Sequence, residues 1–249
     1  MDVIEALRAE TGVVAVVGAG GKKTTLYALA EKAAREEDRR VVVTATVRIP
    51  PFDRNVTRVH VTADPIPAIK RTSDWPVGVV PGRDGEERYG GYDPGDVDRI
   101  ASAEVADLVL VKADGARTRE FKAPGTDEPQ LPRRVDTVIP IASVRAVGKP
   151  LSSEYVHRPE HVSAITGRKR GDPVQAIDVA RVLASERGGL TDVPDDATVV
   201  PLLNKVDDED SRSDAEEIAA GLLERTPAVE RVVLARMVAD DPVVDVIEA

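Results

Sequence analysis

Residues Gly18, Ala19, Gly20, Gly21, Lys22, Lys23, Thr24 and Thr25 form the run G-A-G-G-K-K-T-T between the apolar stretch V-V-A-V-V and the helix-forming stretch L-Y-A-L-A. These types in this order can bind phosphate. Glycines let the backbone turn and aim N–H groups inward, and a helix N-terminus adds partial positive charge. A lysine can reach the terminal phosphates, and a threonine hydroxyl can hold Mg²⁺. The spacing departs from the usual phosphate loop, G-x-x-x-x-G-K-[ST]. If Lys23 and Thr24 are the Lys–Thr pair, Lys22 stands where a glycine belongs. If Lys22 follows the correct glycine, the hydroxyl comes one residue late. Either lysine can be the phosphate ligand.

Two further motifs end apolar runs. In V-V-P-L-L-N-K-V-D, Asn204, Lys205 and Asp207 spell N-K-x-D, a guanine-reading motif when its carboxylate accepts from the base N–H groups. In L-V-L-V-K-A-D-G, Asp114 and Gly115 follow an apolar run, where a carboxylate can hold Mg²⁺ and a glycine can sense a terminal phosphate. Thr44 and Thr46 follow a third run and could meet a phosphate or a metal. His157, Arg158 and Glu160 lie in a proline-broken charged segment suited to holding an anion and moving a proton. His161 follows His157 at helical metal spacing, but Pro159 between them marks a helix start and argues against a shared helix face.

The elements that must position these groups read as α/β. Nearly continuous apolar runs at 13–17, 41–43, 77–80, 108–111, 138–141, 199–203 and 232–234 fit strands buried on both faces, and hence a mostly parallel sheet with helices on both faces. Helical patterns at 25–37, 97–106, 173–186 and 215–224 alternate with them. We expect one nucleotide-binding α/β domain over residues 1–249. Segments 49–75, 82–95 and 117–134 lack periodicity, and the last follows a strand directly, which favours function there. Ligands of open parallel sheets gather at the carboxyl ends of strands. The cations Arg117, Lys122 and Arg158 are therefore expected to converge on one cleft facing the nucleotide.

Composition narrows the classes. A net charge of −10 disfavours nonspecific nucleic-acid binding. The absence of cysteine excludes thiolate chemistry and cysteine-held metal clusters. No run reaches the length of a membrane span, and the acidic amphipathic start is unlike a signal peptide, so a cytoplasmic protein with no membrane partner is expected.

The stretches VGAGGKKTTLYALA, VTATVRIP, KADGARTREFKAPGTDEPQLP and GKPLSSEYVHRPEHVSAITG resemble, in this order, the selenium-dependent hydroxylase accessory protein family, YqeC. The resemblance runs from about Val13 to Asp207. It implies a P-loop NTPase-like fold and a role in maturing molybdenum hydroxylases, with a molybdenum-cofactor enzyme or its maturation factors as partners. It places the family's phosphate loop at Gly18 to Thr25, where members often have a single lysine. The acidic element falls at Asp114, preceded by Lys112 where an acidic residue is common. The family's K-A-P and E-P positions fall at Lys122 and Glu128, and its V-H-R-P-E positions at Val156 to Glu160.

The resulting expectation is a Mg²⁺-dependent hydrolase of GTP, or of ATP. Lys22, Lys23 and Asp114 would be catalytic, Thr24 and Asp114 would hold Mg²⁺, and Asn204, Lys205 and Asp207 would read the base. Arg117, Lys122, Glu128, His157, Arg158 and Glu160 would form a second, substrate-binding site. A small-molecule kinase or ligase and a non-hydrolysing scaffold are the alternatives.

Overall fold

Short valine-rich segments bounded by Gly, Asp or Arg settle into strands, because β-branched side chains fit a pleated surface covered on both sides. A computed structural model describes residues 1–36 and 38–249. In chain order the elements are α1 (Val3–Ala6), β1 (Gly12–Gly18), α2 (Lys22–Arg35), β2 (Val41–Ala45), β3 (Arg58–Val61), α3 (Pro65–Lys70), β4 (Val77–Val80), α4 (Pro94–Ser102), β5 (Leu108–Lys112), β6 (Phe121–Lys122), β7 (Thr137–Ser143), β8 (Val156–His157), α5 (Pro159–Thr166), α6 (Ala176–Leu183), β9 (Thr198–Val199), β10 (Leu202–Asn204), α7 (Glu209–Leu223), β11 (Arg231–Ala235) and β12 (Val243–Glu248).

The main sheet has the order β12-β11-β10-β7-β1-β5-β2-β4-β3, with β9 pairing the start of β7. Every pair in it is parallel except β11–β12. Helices cover both faces. On one, Val14 and Val16 of β1 and Leu108 and Leu110 of β5 pack with Leu26, Leu29 and Ala33 of α2. On the other, Val13 and Ala15 of β1 and Val109 and Val111 of β5 pack with Val97 and Ile100 of α4. Farther along that face Leu203, Val232 and Leu234 meet Val179 of α6 and Ile218 and Leu222 of α7. Burying each such side chain stabilises the fold by about 1.5–3 kcal/mol. This α/β architecture is consistent with a P-loop NTPase-like fold.

The apolar runs locate seven strand regions, with one correction. The run 199–203 is two strands, β9 and β10, parted at Pro201, which has no N–H for a ladder. Helix starts also shift. α2 begins at Lys22 and ends at Arg35, and Glu37, the expected end, lies outside the described residues. α7 begins six residues before the apolar periodicity, because Asp208 caps it by accepting from Ser211 N–H at 2.9 Å. Among the described residues no helix is long and apolar enough to cross a membrane.

Candidate functional site

β1 lies where the chain changes direction across the sheet: β5 and β2 build outward on one side, β7 and β10 on the other. Such a switch point opens a crevice at the carboxyl ends of the strands. The glycine loop leaves β1 at this crevice. Gly18 turns with φ +87°, and a Cβ there would strike the backbone of Ile141 in β7. At Gly20, φ +90°, a Cβ would stand 2.8 Å from the Glu120 carbonyl oxygen. Only glycine accepts both the left-handed conformation and the close approach. α2 starts immediately, at Lys22, with Gly21 before it.

The two lysines differ sharply. Lys22 is buried; its Nζ donates back to the Gly18 carbonyl and lies 2.7 Å from Asp114 Oδ1. Lys23 is exposed one residue on. Thr24 borders the cleft, whereas the Thr25 hydroxyl is buried and donates to the Gly21 carbonyl at 3.3 Å. Ala19 is buried, its N–H donating to the Ile141 carbonyl at 2.8 Å.

Behind the loop sits a buried cluster of charge. Asp114 Oδ2 accepts from the Gly18 N–H at 2.8 Å and lies 2.8 Å from Lys122 Nζ. Lys122 Nζ also donates to Glu128 Oε2 and to the Gly115 carbonyl, each at 2.7 Å. Glu128 further accepts from Arg158 at 2.6 Å and from the Gly115 N–H at 3.2 Å. Burial alone would raise the Glu128 carboxyl, but the hydrogen bond and charge of Lys122, with Arg158 and the Gly115 N–H, hold it at about 2. Lys112, at the end of β5, is buried with its Nζ on the Arg48 carbonyl at 3.1 Å. Burial, reinforced by the Lys22 charge, pushes Lys112 down to about 7. Burial likewise pushes Lys22 down, against the pull of Asp114. Three of the nine lysines in the chain are thus packed around two carboxylates.

The two loops converge and bring Arg117 and Arg158 to one cleft, but Lys122, expected to line it with them, is buried behind it on Asp114 and Glu128; the backbone produces this arrangement. Phe121–Lys122 and Val156–His157 pair as the parallel strands β6 and β8, which sets Lys122 beside His157. The Ser143 N–H at the end of β7 donates to the Glu120 carbonyl at 3.0 Å and ties this pair to the main sheet. Arg158, left-handed at φ 57°, caps the entry to α5 and packs on Gly125, where a Cβ would come within 2.9 Å of its guanidinium carbon.

A cleft of about 630 Å³ results, bordered by Gly20, Gly21, Lys22, Lys23 and Thr24 on the loop side and by Arg117, Glu128, His157 and Arg158 opposite. Nine cationic side chains line it against two carboxylates, Glu120 and Glu128, in a chain whose net charge is −10. A second cleft of about 610 Å³ opens at the other ends of the strands, around Gly12, Asp136 and Thr137, and contains none of the motif residues.

His157 is half-buried, and burial beside Arg158 and Lys122 holds it down at about 4, so it is neutral at pH 7. His161 instead turns its Nδ1 to the Pro124 carbonyl at 2.7 Å. Glu160 is exposed and lies outside the cleft. Of the N-K-x-D residues, Asn204 is buried and braces the loop, its Nδ2 donating to the Gly20 carbonyl at 2.9 Å. Its Oδ1 accepts from the N–H of Lys205 at 2.8 Å and of Met237 at 3.1 Å. Lys205 borders the cleft and pairs with Glu120 at 2.6 Å. Asp207 lies outside the cleft lining and pairs with Arg145 at 2.8 Å. Thr44 and Thr46 donate to the carbonyls of Val79 and Gln130 at 2.8 and 2.6 Å, which gives both hydroxyls structural roles. Lys112, Arg119 and Glu120 also line the cleft, and their spacing in the sequence does not mark them for it.

The donor set does not suit Mg²⁺. At a phosphate site that ion takes six oxygens, most from phosphate and water, and from the protein typically one or two carboxylates. Asp114, expected to hold it, is already engaged by two ammonium groups and an N–H. Thr24 offers one neutral oxygen at the cleft.

The parallel sheet with helices on both faces and a glycine loop at its switch point define an α/β protein, an architecture consistent with a P-loop NTPase-like fold. The profile of the family described as "YqeC protein" matches residues 14–160, more than half of the chain, and the chain belongs to that family. It is 29% identical over 195 residues to "Uncharacterized protein YqeC" of Escherichia coli K12, covering 78% of this chain and 75% of that protein. The family match takes in the loop, Lys112, Asp114, Lys122, Glu128 and Arg158, and ends before Asn204.

Proposed function

We propose that the cleft binds a nucleoside triphosphate, GTP in preference to ATP, and that the protein hydrolyses it. The observation that carries this reading is the placement of Lys22: buried, at the first position of α2, and turned back over a glycine loop at the sheet's switch point. Loop N–H groups, the start of α2 and Lys22 would receive phosphate oxygens. Lys205 borders the same cleft, and Asn204, fastened to Gly20, would couple the base-reading segment to the phosphate loop. Asp207 would exchange Arg145 for the guanine N–H groups.

The opposite wall, with Arg117, Glu128 and Arg158, supports a second reading, in which an acceptor molecule sits across from the loop and takes a phosphoryl group. Product analysis separates the two: free phosphate for the hydrolase, a phosphorylated acceptor for the kinase. Turnover would serve the maturation of selenium-dependent molybdenum hydroxylases, the role that the family resemblance implies.

Calorimetric titration with GTP and with ATP tests the core of this reading. Lys22→Ala should weaken binding by about 2–4 kcal/mol, the scale of a lost charge-assisted contact, and Lys23→Ala by much less. Equal binding by wild type and Lys22→Ala refutes the site.

A further inference from the structure

Lys112 is a buried amine that forms no salt bridge among the described residues. It closes β5, is 6% exposed, and donates to one acceptor, the Arg48 carbonyl. An ammonium has three donors. The nearby carboxylates are taken: Asp114 by Lys22 and Lys122, Glu128 by Lys122 and Arg158. A buried charge is costly unless something pairs with it, and Lys112 borders the same cleft as Lys22 and Lys23. At this end of β5 a divalent cation would meet an ammonium group, not a free carboxylate. At the start of α2, the position directly after Lys22, where G-K-[ST] carries a hydroxyl, is Lys23.

We propose that the cleft takes the di- or triphosphate group of its ligand without a divalent cation, the ammonium groups of Lys112 and Lys23 supplying the charge a metal would supply. The proposal rests on the nucleotide reading for the identity of the ligand, but not for its polyphosphate chemistry. Two ammonium groups replace one divalent ion in charge. Lys112 gains the anion its burial lacks, and Asp114 stays with the lysines as the anchor of the loop.

The test is binding of inorganic tripolyphosphate to the full chain, by calorimetry, in EDTA and in excess Mg²⁺, with GTP and ATP titrated in parallel. Binding in EDTA should equal or exceed binding in Mg²⁺. Lys112→Met should weaken binding in EDTA at least tenfold while the variant unfolds at the same or a higher denaturant concentration. Lys23→Ser, at an exposed position that cannot disturb the core, should weaken it several-fold. Binding of tripolyphosphate and nucleotide only with Mg²⁺ overturns this inference and leaves the nucleotide reading standing. Tripolyphosphate binding in EDTA with no nucleotide binding does the reverse. Wild-type affinity in both variants also overturns the inference, and no binding of any probe overturns both.

Discussion

Replacing Lys112 with methionine should stabilise the protein in a pH-dependent way. In the unfolded chain this lysine holds its proton up to about 10.5, whereas in the folded protein burial, with the Lys22 charge added, brings it to about 7. Between those values the unfolded state binds more protons, so stability rises with pH; below pH 7 the full penalty applies, and by pH 10.5 it is gone. At about 1.4 kcal/mol per pH unit, the folded state is disfavoured by roughly 4 kcal/mol at pH 7 and roughly 2 kcal/mol at pH 9. Methionine has nearly the same length, fills the space with apolar atoms and does not titrate. Urea denaturation of wild type and Lys112→Met at pH 7 and pH 9 measures the difference, since groups not coupled to Lys112 cancel in the comparison. The variant should be the more stable at pH 7, by up to about 4 kcal/mol, and its advantage should shrink by about 2 kcal/mol at pH 9. Parallel stability–pH profiles, or a variant less stable at pH 7, refute the argument that Lys112 is a buried amine without a salt bridge.

Glu128 carries the opposite sign. Its carboxyl is held at about 2 against an ordinary 4.5, so its stabilisation is present above 4.5 and disappears as pH falls from 4.5 towards 2. Wild type should lose about 2–3 kcal/mol more than Glu128→Gln across that window in acid denaturation. Asp207→Asn should lower GTP affinity by about 1–3 kcal/mol, the cost of leaving base N–H groups unpaired, and leave ATP affinity unchanged; competition binding with the two nucleotides reads this directly.

What the sequence reveals follows from how local each cause is. The runs that became β1, β2, β4, β5, β7 and β11 are visible because central strands of a covered parallel sheet are apolar on both faces. β12, V-V-D-V-I-E, is an edge strand of mixed polarity, and the two-residue strands β6 and β8 have no pattern at all. They exist because two distant loops pair, and that pairing builds the second wall of the cleft. The glycine-loop residues were legible from type alone, but which of Lys22 and Lys23 is buried was not. It depends on where α2 starts: successive residues of a helix point about 100° apart, so a start at Lys22 turns that lysine over the loop and leaves its neighbour outside. N-K-x-D marks the end of β10, but not that Asn204 fastens the glycine loop or that Asp207 pairs with Arg145. A single lysine ending a strand reads as a solvated terminus. Only the seating of β5 between β1 and β2 buries Lys112.

The central claim is that the glycine loop receives phosphate. The most direct measurement is the backbone amide spectrum of isotopically labelled protein during titration with GTP. The account predicts that the largest shifts fall on the N–H groups of Gly18 through Thr24 and disappear in Lys22→Ala. Shifts confined to the opposite cleft around Gly12 and Asp136, or none at all at saturating GTP, would contradict it.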